Sequence, residues 1–133
     1  MVWKRGSTKY GNKKVTFGNE TFDSKGEWQR WIFLKEAERS GQISDLRRQV
    51  KFTLIPTQYK TIEVKLKTKT RIEQRVATRE VTYSADFVYC KDGAMVVEDF
   101  KGMPNDRWPI KKALMLSVHG IDVREVKKPT EPI

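Results

Sequence analysis

The chain has 133 residues, a third of them charged, a formal net charge of +10 and a single cysteine, Cys90. This length suits one domain, one cysteine excludes an internal disulfide, and no stretch reaches the roughly 18 apolar residues of a membrane-spanning helix. The opening residues Met1-Val2-Trp3-Lys4-Arg5-Gly6 lack the apolar run of a secretory signal, so the sequence reads as cytoplasmic, with a charge that calls for an anionic partner.

Residues 1–20 carry Lys4, Arg5, Lys9, Lys13 and Lys14 among glycines and asparagines. They read as a basic arm that could reach for phosphates, with room for a short strand at residues 14–17. Asp23 or Ser24 then opens a helix that runs to about Ser40 and is closed by Gly41. Trp28, Trp31, Ile32, Leu34 and Ala37 give it an apolar side, and Glu27 stands at the edge of that stripe. Ser24-x-x-Glu27 is a capping box, so Glu27 has two readings, helix cap or ligand.

Arg48 to Ile55 alternates as a strand and stops at Pro56, with Gln49 near its start. In Thr61–Lys67, Ile62, Val64 and Leu66 alternate with Glu63, Lys65 and Lys67. Residues 68–79 add Lys69, Arg71, Arg75 and Arg79, so this region reads as a basic excursion, either a long hairpin or a loop.

Two apolar runs follow, Tyr83–Cys90 and Ala94–Lys101, joined by Lys91-Asp92-Gly93. Asp-Gly is a strong hairpin signal, and with Asp92 and Gly93 as the two turn residues Lys91 pairs with Ala94. That register sets Asp86 directly opposite Asp99, at a Cβ separation of about 4.5–5.5 Å. Like charges so placed destabilise a hairpin, so a positive group is expected between them, and Mg²⁺ suits a site of one or two carboxylates. Lys101 shares the face of Asp99, whereas Glu98 points the other way with Phe100. Beyond the hairpin, Asn105 or Asp106 can cap a helix that has Pro109 in its first turn and ends at His119-Gly120. Ile110, Ala113 and Leu114 are expected to face the core, and Lys111 and Lys112 the solvent. A final strand spans residues 121–126, and residues 127–133 read as a flexible tail.

Asp86 followed by Asp99-Phe100-Lys101 on a hairpin resembles the PD-(D/E)xK nuclease superfamily, with Asp99 in place of the usual Glu. The wider pattern is similar to a phage-encoded family within it, DUF1064. The pieces are Lys9-Tyr10-Gly11-Asn12-Lys13, Phe22-Asp23-Ser24-Lys25-Gly26-Glu27, Gln49-Val50-Lys51-Phe52, Tyr83–Tyr89 and Val97–Gly102. The resemblance implies an α/β fold with a restriction-endonuclease-like core. A central mixed sheet would be flanked by helices in the order α-β-β-β-α-β, over residues 21–126. It also implies a catalytic group of Glu27, Asp86, Asp99 and Lys101, with Asp86, Asp99 and Glu27 holding Mg²⁺ or Mn²⁺. Gln49 accompanies the acidic cluster in that family. The activity implied is metal-dependent DNA cleavage, with branched DNA of the Holliday-junction type as substrate and a homodimer to make paired cuts. Lys13, Lys14, Gln49, Lys65, Lys67, Lys69, Lys111 and Lys112 are the candidate DNA contacts. The competing reading is a non-catalytic DNA-binding or virion-associated protein that keeps the fold.

Overall fold

The computed structural model describes residues 14–101 and 106–133. The described chain divides into two compact units. One holds the residues up to Val50 together with Ala85–Ile133, and the other is Lys51–Ser84. The described residues are α/β but mostly strand, with two helices and a four-stranded mixed sheet.

In the first unit, β1 (Val15–Phe17) and β2 (Glu20–Phe22) form a small antiparallel hairpin. Residues 15–17 and Glu20 of the expected basic arm therefore belong to this hairpin, and residues 1–13 of the arm lie outside the described residues. Helix α1 (Lys25–Arg39) begins where the capping signal predicts: Ser24 Oγ accepts the Glu27 N–H at 3.1 Å. Gly41, at φ 84°, follows the C-cap Ser40. The apolar stripe of α1 lies against the β6–β7 hairpin, β6 being Val81–Lys91 and β7 Ala94–Phe100. Leu34 and Ala37 cluster with Ile43, Phe87 and Tyr89, and Trp31 stacks on Phe87 with ring centroids 6.1 Å apart.

The β6–β7 register is the one the Asp-Gly signal predicts, running from Lys91↔Ala94 to Phe87↔Glu98. Asp92 (φ 51°) and Gly93 (φ 80°) are both left-handed, as a two-residue type I′ turn requires. Strand β3 (Ser44–Ile55) starts earlier than the alternation predicts, and β8 (Arg124–Val126) joins β7 in parallel. The sheet order is β3-β6-β7-β8, which gives the central hairpin a neighbour on each side. Val88 and Val97, on the face away from α1, are as buried as Phe87 on the α1 face. Leaving aside the two-stranded sheets, the elements run α-β-β-β-α-β, the expected order.

Helix α2 (Trp108–His119) corrects the sequence reading of its faces. Trp108 and Met115 are buried, while Ile110 is 64% exposed and Ala113 lies in solvent. Lys111 and Lys112 are half-buried instead of outward, and Lys112 pairs with Glu125 at 2.8 Å. Arg107 is the N-cap and makes no side-chain cap bond, in place of Asp106; Asn105 lies outside the described residues. Residues 127–133, read as a flexible tail, are tied to the unit. Arg30 Nη1 donates to the carbonyls of Pro129 (3.1 Å) and Glu131 (2.5 Å), and Lys91 Nζ to that of Ile133 (2.7 Å).

The second unit contains the outer part of the basic excursion as a hairpin. β4 (Gln58–Lys65) pairs antiparallel with β5 (Thr70–Thr78), and the Leu66 N–H closes the turn on Lys69 O at 2.8 Å. Of the two sequence readings for this region, the hairpin holds. No described helix is long and apolar enough to cross a membrane.

Close packing fixes α1 against β7. A Cβ built on Gly26 would lie 2.8 Å from the Phe100 ring. Gly26→Ala is therefore expected to destabilise the protein by about 1–3 kcal/mol despite the better helix propensity of alanine. Urea titration measures this, and a variant more stable than the parent would show that the ring moves aside freely.

Candidate active site

The acidic residues meet at the end of the central hairpin, where the β6–β7 ladder gives out. The ladder does not continue to an Asp86–Asp99 pair. Instead the Asp86 side chain takes over the pairing: its Oδ2 accepts the Phe100 N–H at 2.8 Å. This corrects the simple face-to-face opposition and explains how the hairpin tolerates two acids there. Gln49 holds the other oxygen, its Nε2 donating to Asp86 Oδ1 at 3.2 Å. Gln49 itself has φ 53°, a strained setting for a non-glycine residue within β3, and this bend accompanies the contact.

Glu27 reaches the same place from the first turn of α1. Its backbone is capped by Ser24, but its carboxylate is buried at 3% exposure and hydrogen-bonds with Asp86. Oε2 also lies 3.5 Å from the Asp23 N–H and from Arg48 Nη2. The capping box is thus half made: the serine side holds, and the glutamate turns toward the other acids. Burial, then the nearby Asp23, raise the Glu27 pKa above the usual carboxylate range. Burial, followed by the charges of Glu27 and Asp99, pushes Asp86 up to about 8, against the Phe100 N–H that favours its ionised form.

Asp99 is 6% exposed and pairs with Lys101 Nζ at 2.7 Å. The same ammonium lies 3.9 Å from the centroid of the Trp108 ring, so an acid and an aromatic face together hold the lysine in place. Three carboxylates and one ammonium are thereby gathered at one end of the sheet.

A family model described as a protein of unknown function, DUF1064, matches residues 7–128. The chain belongs to the DUF1064 family. No curated protein and no solved structure matches it.

In this DUF1064 protein, four of the sequence candidates come together with Gln49: Glu27, Asp86, Asp99 and Lys101. Lys13 lies outside the described residues, and Lys14 is exposed just before β1. Lys65, Lys67 and Lys69 belong to the second unit, at and beside the β4–β5 turn. Glu98, adjacent in sequence to Asp99, is fully buried on the opposite face and bound to Arg30 at 2.7 Å. Two contributors escaped the sequence reading. Arg48 stacks over Phe22 with 3.9 Å from Cζ to the ring centroid and faces Glu27, whereas the sequence marks it only as a strand start. Trp108 carries no motif signal at all, because its role depends on α2 passing beside Lys101.

Among the described residues, no group of three His, Cys, Asp or Glu side chains stands ready to hold a metal ion. Carboxylate oxygens are nonetheless the donors that hard cations take. Mg²⁺ is usually bound by one or two carboxylates plus waters and substrate phosphate oxygens, without an all-protein cage. The Asp86 carboxyl, its pKa raised by burial and then by Glu27 and Asp99, is a group whose ionised form a divalent cation would favour.

Proposed function

We infer that the chain is a metal-dependent endonuclease that hydrolyses DNA phosphodiester bonds on a restriction-endonuclease-like core. The observation that carries this reading is the gathering of Glu27, Asp86 and Asp99 with the Lys101 ammonium, 2.7 Å from Asp99, at one end of the central hairpin. Asp86 and Asp99 would hold Mg²⁺ or Mn²⁺, with Glu27 completing the set. Such an ion supplies electrophilic polarisation of a phosphate oxygen and lowers the pKa of a bound water.

The chain's own residues set the conditions for that chemistry. Gln49 and the Phe100 N–H fix both oxygens of Asp86, so its orientation survives loss of the carboxyl proton. Asp99 and Trp108 hold the Lys101 ammonium where it can stabilise charge developing on the phosphate. The net charge of +10 favours approach of a polyanion. No base-reading motif is evident, which suits a substrate chosen by shape, and branched DNA of the four-way type is the substrate we assign. Paired cuts across such a junction call for two copies of the chain.

Cleavage assays on four-way, flap and linear DNA, with Mg²⁺ and with EDTA, test the assignment. Mg²⁺-dependent cutting that favours branched substrates is expected. Equal cutting of linear duplex would leave a general endonuclease, and no cutting with any divalent ion would leave a non-catalytic DNA-binding protein. Lys101→Ala is expected to lower kcat about 100-fold while DNA binding in EDTA changes by no more than a few-fold. A parallel loss of binding would make Lys101 a phosphate anchor.

A further inference from the structure

The β4–β5 hairpin is built in a way that the core does not explain. It is a two-stranded sheet that gains no third strand among the described residues. Nearly all of its residues are exposed, including Tyr59 (62%), Ile72 (62%) and Val76 (43%). A lone two-stranded ribbon is marginal in water, and three large apolar side chains left in solvent add to the cost. The register places Tyr59 opposite Val76 and Glu63 opposite Ile72, so these apolar side chains share one face of the ribbon.

Charge identifies the kind of partner that covers it. Among the ribbon's acids, Glu73 is clamped between Arg71 (2.6 Å) and Arg75 (2.7 Å), which leaves Glu63 as the free one. Lys60, Lys65, Lys67 and Lys69 make no ion pair among the described residues, and three of these four cluster at the turn. With eight residues in β4, the ribbon is about 27 Å long at about 3.4 Å per residue. The major groove of B-form DNA, about 12 Å wide, admits a two-stranded ribbon, and its thymine methyls accept apolar contacts.

We propose that the β4–β5 ribbon inserts into the major groove of duplex DNA, with Lys65, Lys67 and Lys69 contacting phosphates at its tip and the Tyr59–Ile72–Val76 face meeting base edges. This deepens the nucleic-acid reading above, but it concerns binding and stands apart from cleavage. A-form RNA has a major groove too narrow for such a ribbon, so the mode of docking can be tested directly.

The experiment measures binding of the full chain in EDTA, by fluorescence anisotropy, to duplex DNA and duplex RNA of equal length over a range of salt. Wild type is expected to bind the DNA at least 10-fold more tightly than the RNA. The triple variant Lys65→Ala/Lys67→Ala/Lys69→Ala should lose about 10-fold in DNA affinity, with a log–log salt slope shallower by about 2.7. Ile72→Ser, at an exposed position that should not disturb folding, should narrow the preference for DNA over RNA. Equal affinity for the two duplexes, or a triple variant that binds DNA as wild type does, would overturn the proposal. Self-association of wild type that Ile72→Ser abolishes, with DNA affinity unchanged, would overturn it in favour of a second copy of the chain. Because the readout needs no metal, absence of cleavage would count against the nuclease assignment and leave this result standing.

Discussion

Asp86→Asn is expected to abolish Mg²⁺-dependent cleavage and, in EDTA at pH 8.5, to make the protein more stable than wild type. The sign follows from the direction of the shift. Asp86 titrates near 3.8 in a model peptide and at about 8 in the fold, raised by burial and then by Glu27 and Asp99. Between those values the folded state binds the extra proton, so its stabilisation is complete below about pH 4 and is lost as pH rises through 8. Wild type should lose about 1–3 kcal/mol between pH 5.5 and 8.5 by this route, less than an isolated fully buried carboxyl would, because Asp86 keeps some exposure and shares its environment with Glu27. The amide carries no charge at either pH and removes this decline. Added Mg²⁺ should then restore stability to wild type at pH 8.5 and do little for the variant. Thermal unfolding at two pH values, with EDTA and with Mg²⁺, measures all of this. An Asp86→Asn protein that still cuts DNA, or that is less stable than wild type at both pH values, would contradict the assignment.

Arg30→Met is expected to cost about 3–5 kcal/mol without touching the acidic cluster. Arg30 and Glu98 are both fully buried, joined by hydrogen bonds of 2.9 and 2.7 Å, and the Tyr89 hydroxyl donates to the same carboxylate at 2.5 Å. Burial and the Glu98 charge hold that hydroxyl firmly protonated. Removing the guanidinium leaves a charge in the core with Arg124, at 3.5 Å, as its remaining ion-pair partner among the described residues, and it deprives the Pro129 and Glu131 carbonyls of their donor. Replacing both partners, as Arg30→Met/Glu98→Met, should recover most of the loss, since the cost lies in the unpaired charge more than in the missing bond. Urea denaturation of the two variants gives the comparison. A single variant within about 1 kcal/mol of wild type would mean that the pair is replaced by water at little expense.

The parts of the fold legible in the sequence are those set by local chemistry. Ser24 and Gly41 bracket α1, and Asp92-Gly93 fixes the β6–β7 register because left-handed backbone at both turn positions permits one pairing. That register is also what brought Asp86, Asp99 and Lys101 forward as a group. Where the ladder ends, local rules stop helping: the Asp86 carboxylate substitutes for a backbone partner, which no alternation pattern announces. In α2 nearly every residue outside Lys111 and Lys112 is apolar or small, so periodicity could not choose a side and picked Ile110 and Ala113 over Trp108 and Met115. The positive φ values of Asp45 and Gln49 interrupt the period of two in β3 and hid its first residues. Arg30 looks like a solvated helix residue until its partner, 68 positions away, is known.

That distance bears on how the protein is made. The carbonyls that complete the Arg30 shell lie 99 and 101 positions downstream of it. Any nascent chain that stops short of Pro129 holds a guanidinium without its full complement of acceptors, and one that stops short of Glu98 holds it without a counter-charge. The first unit therefore completes its buried polar group only when residues as far apart as Arg30 and Glu131 are brought together. Contacts of such long sequence separation also slow the search for the native state.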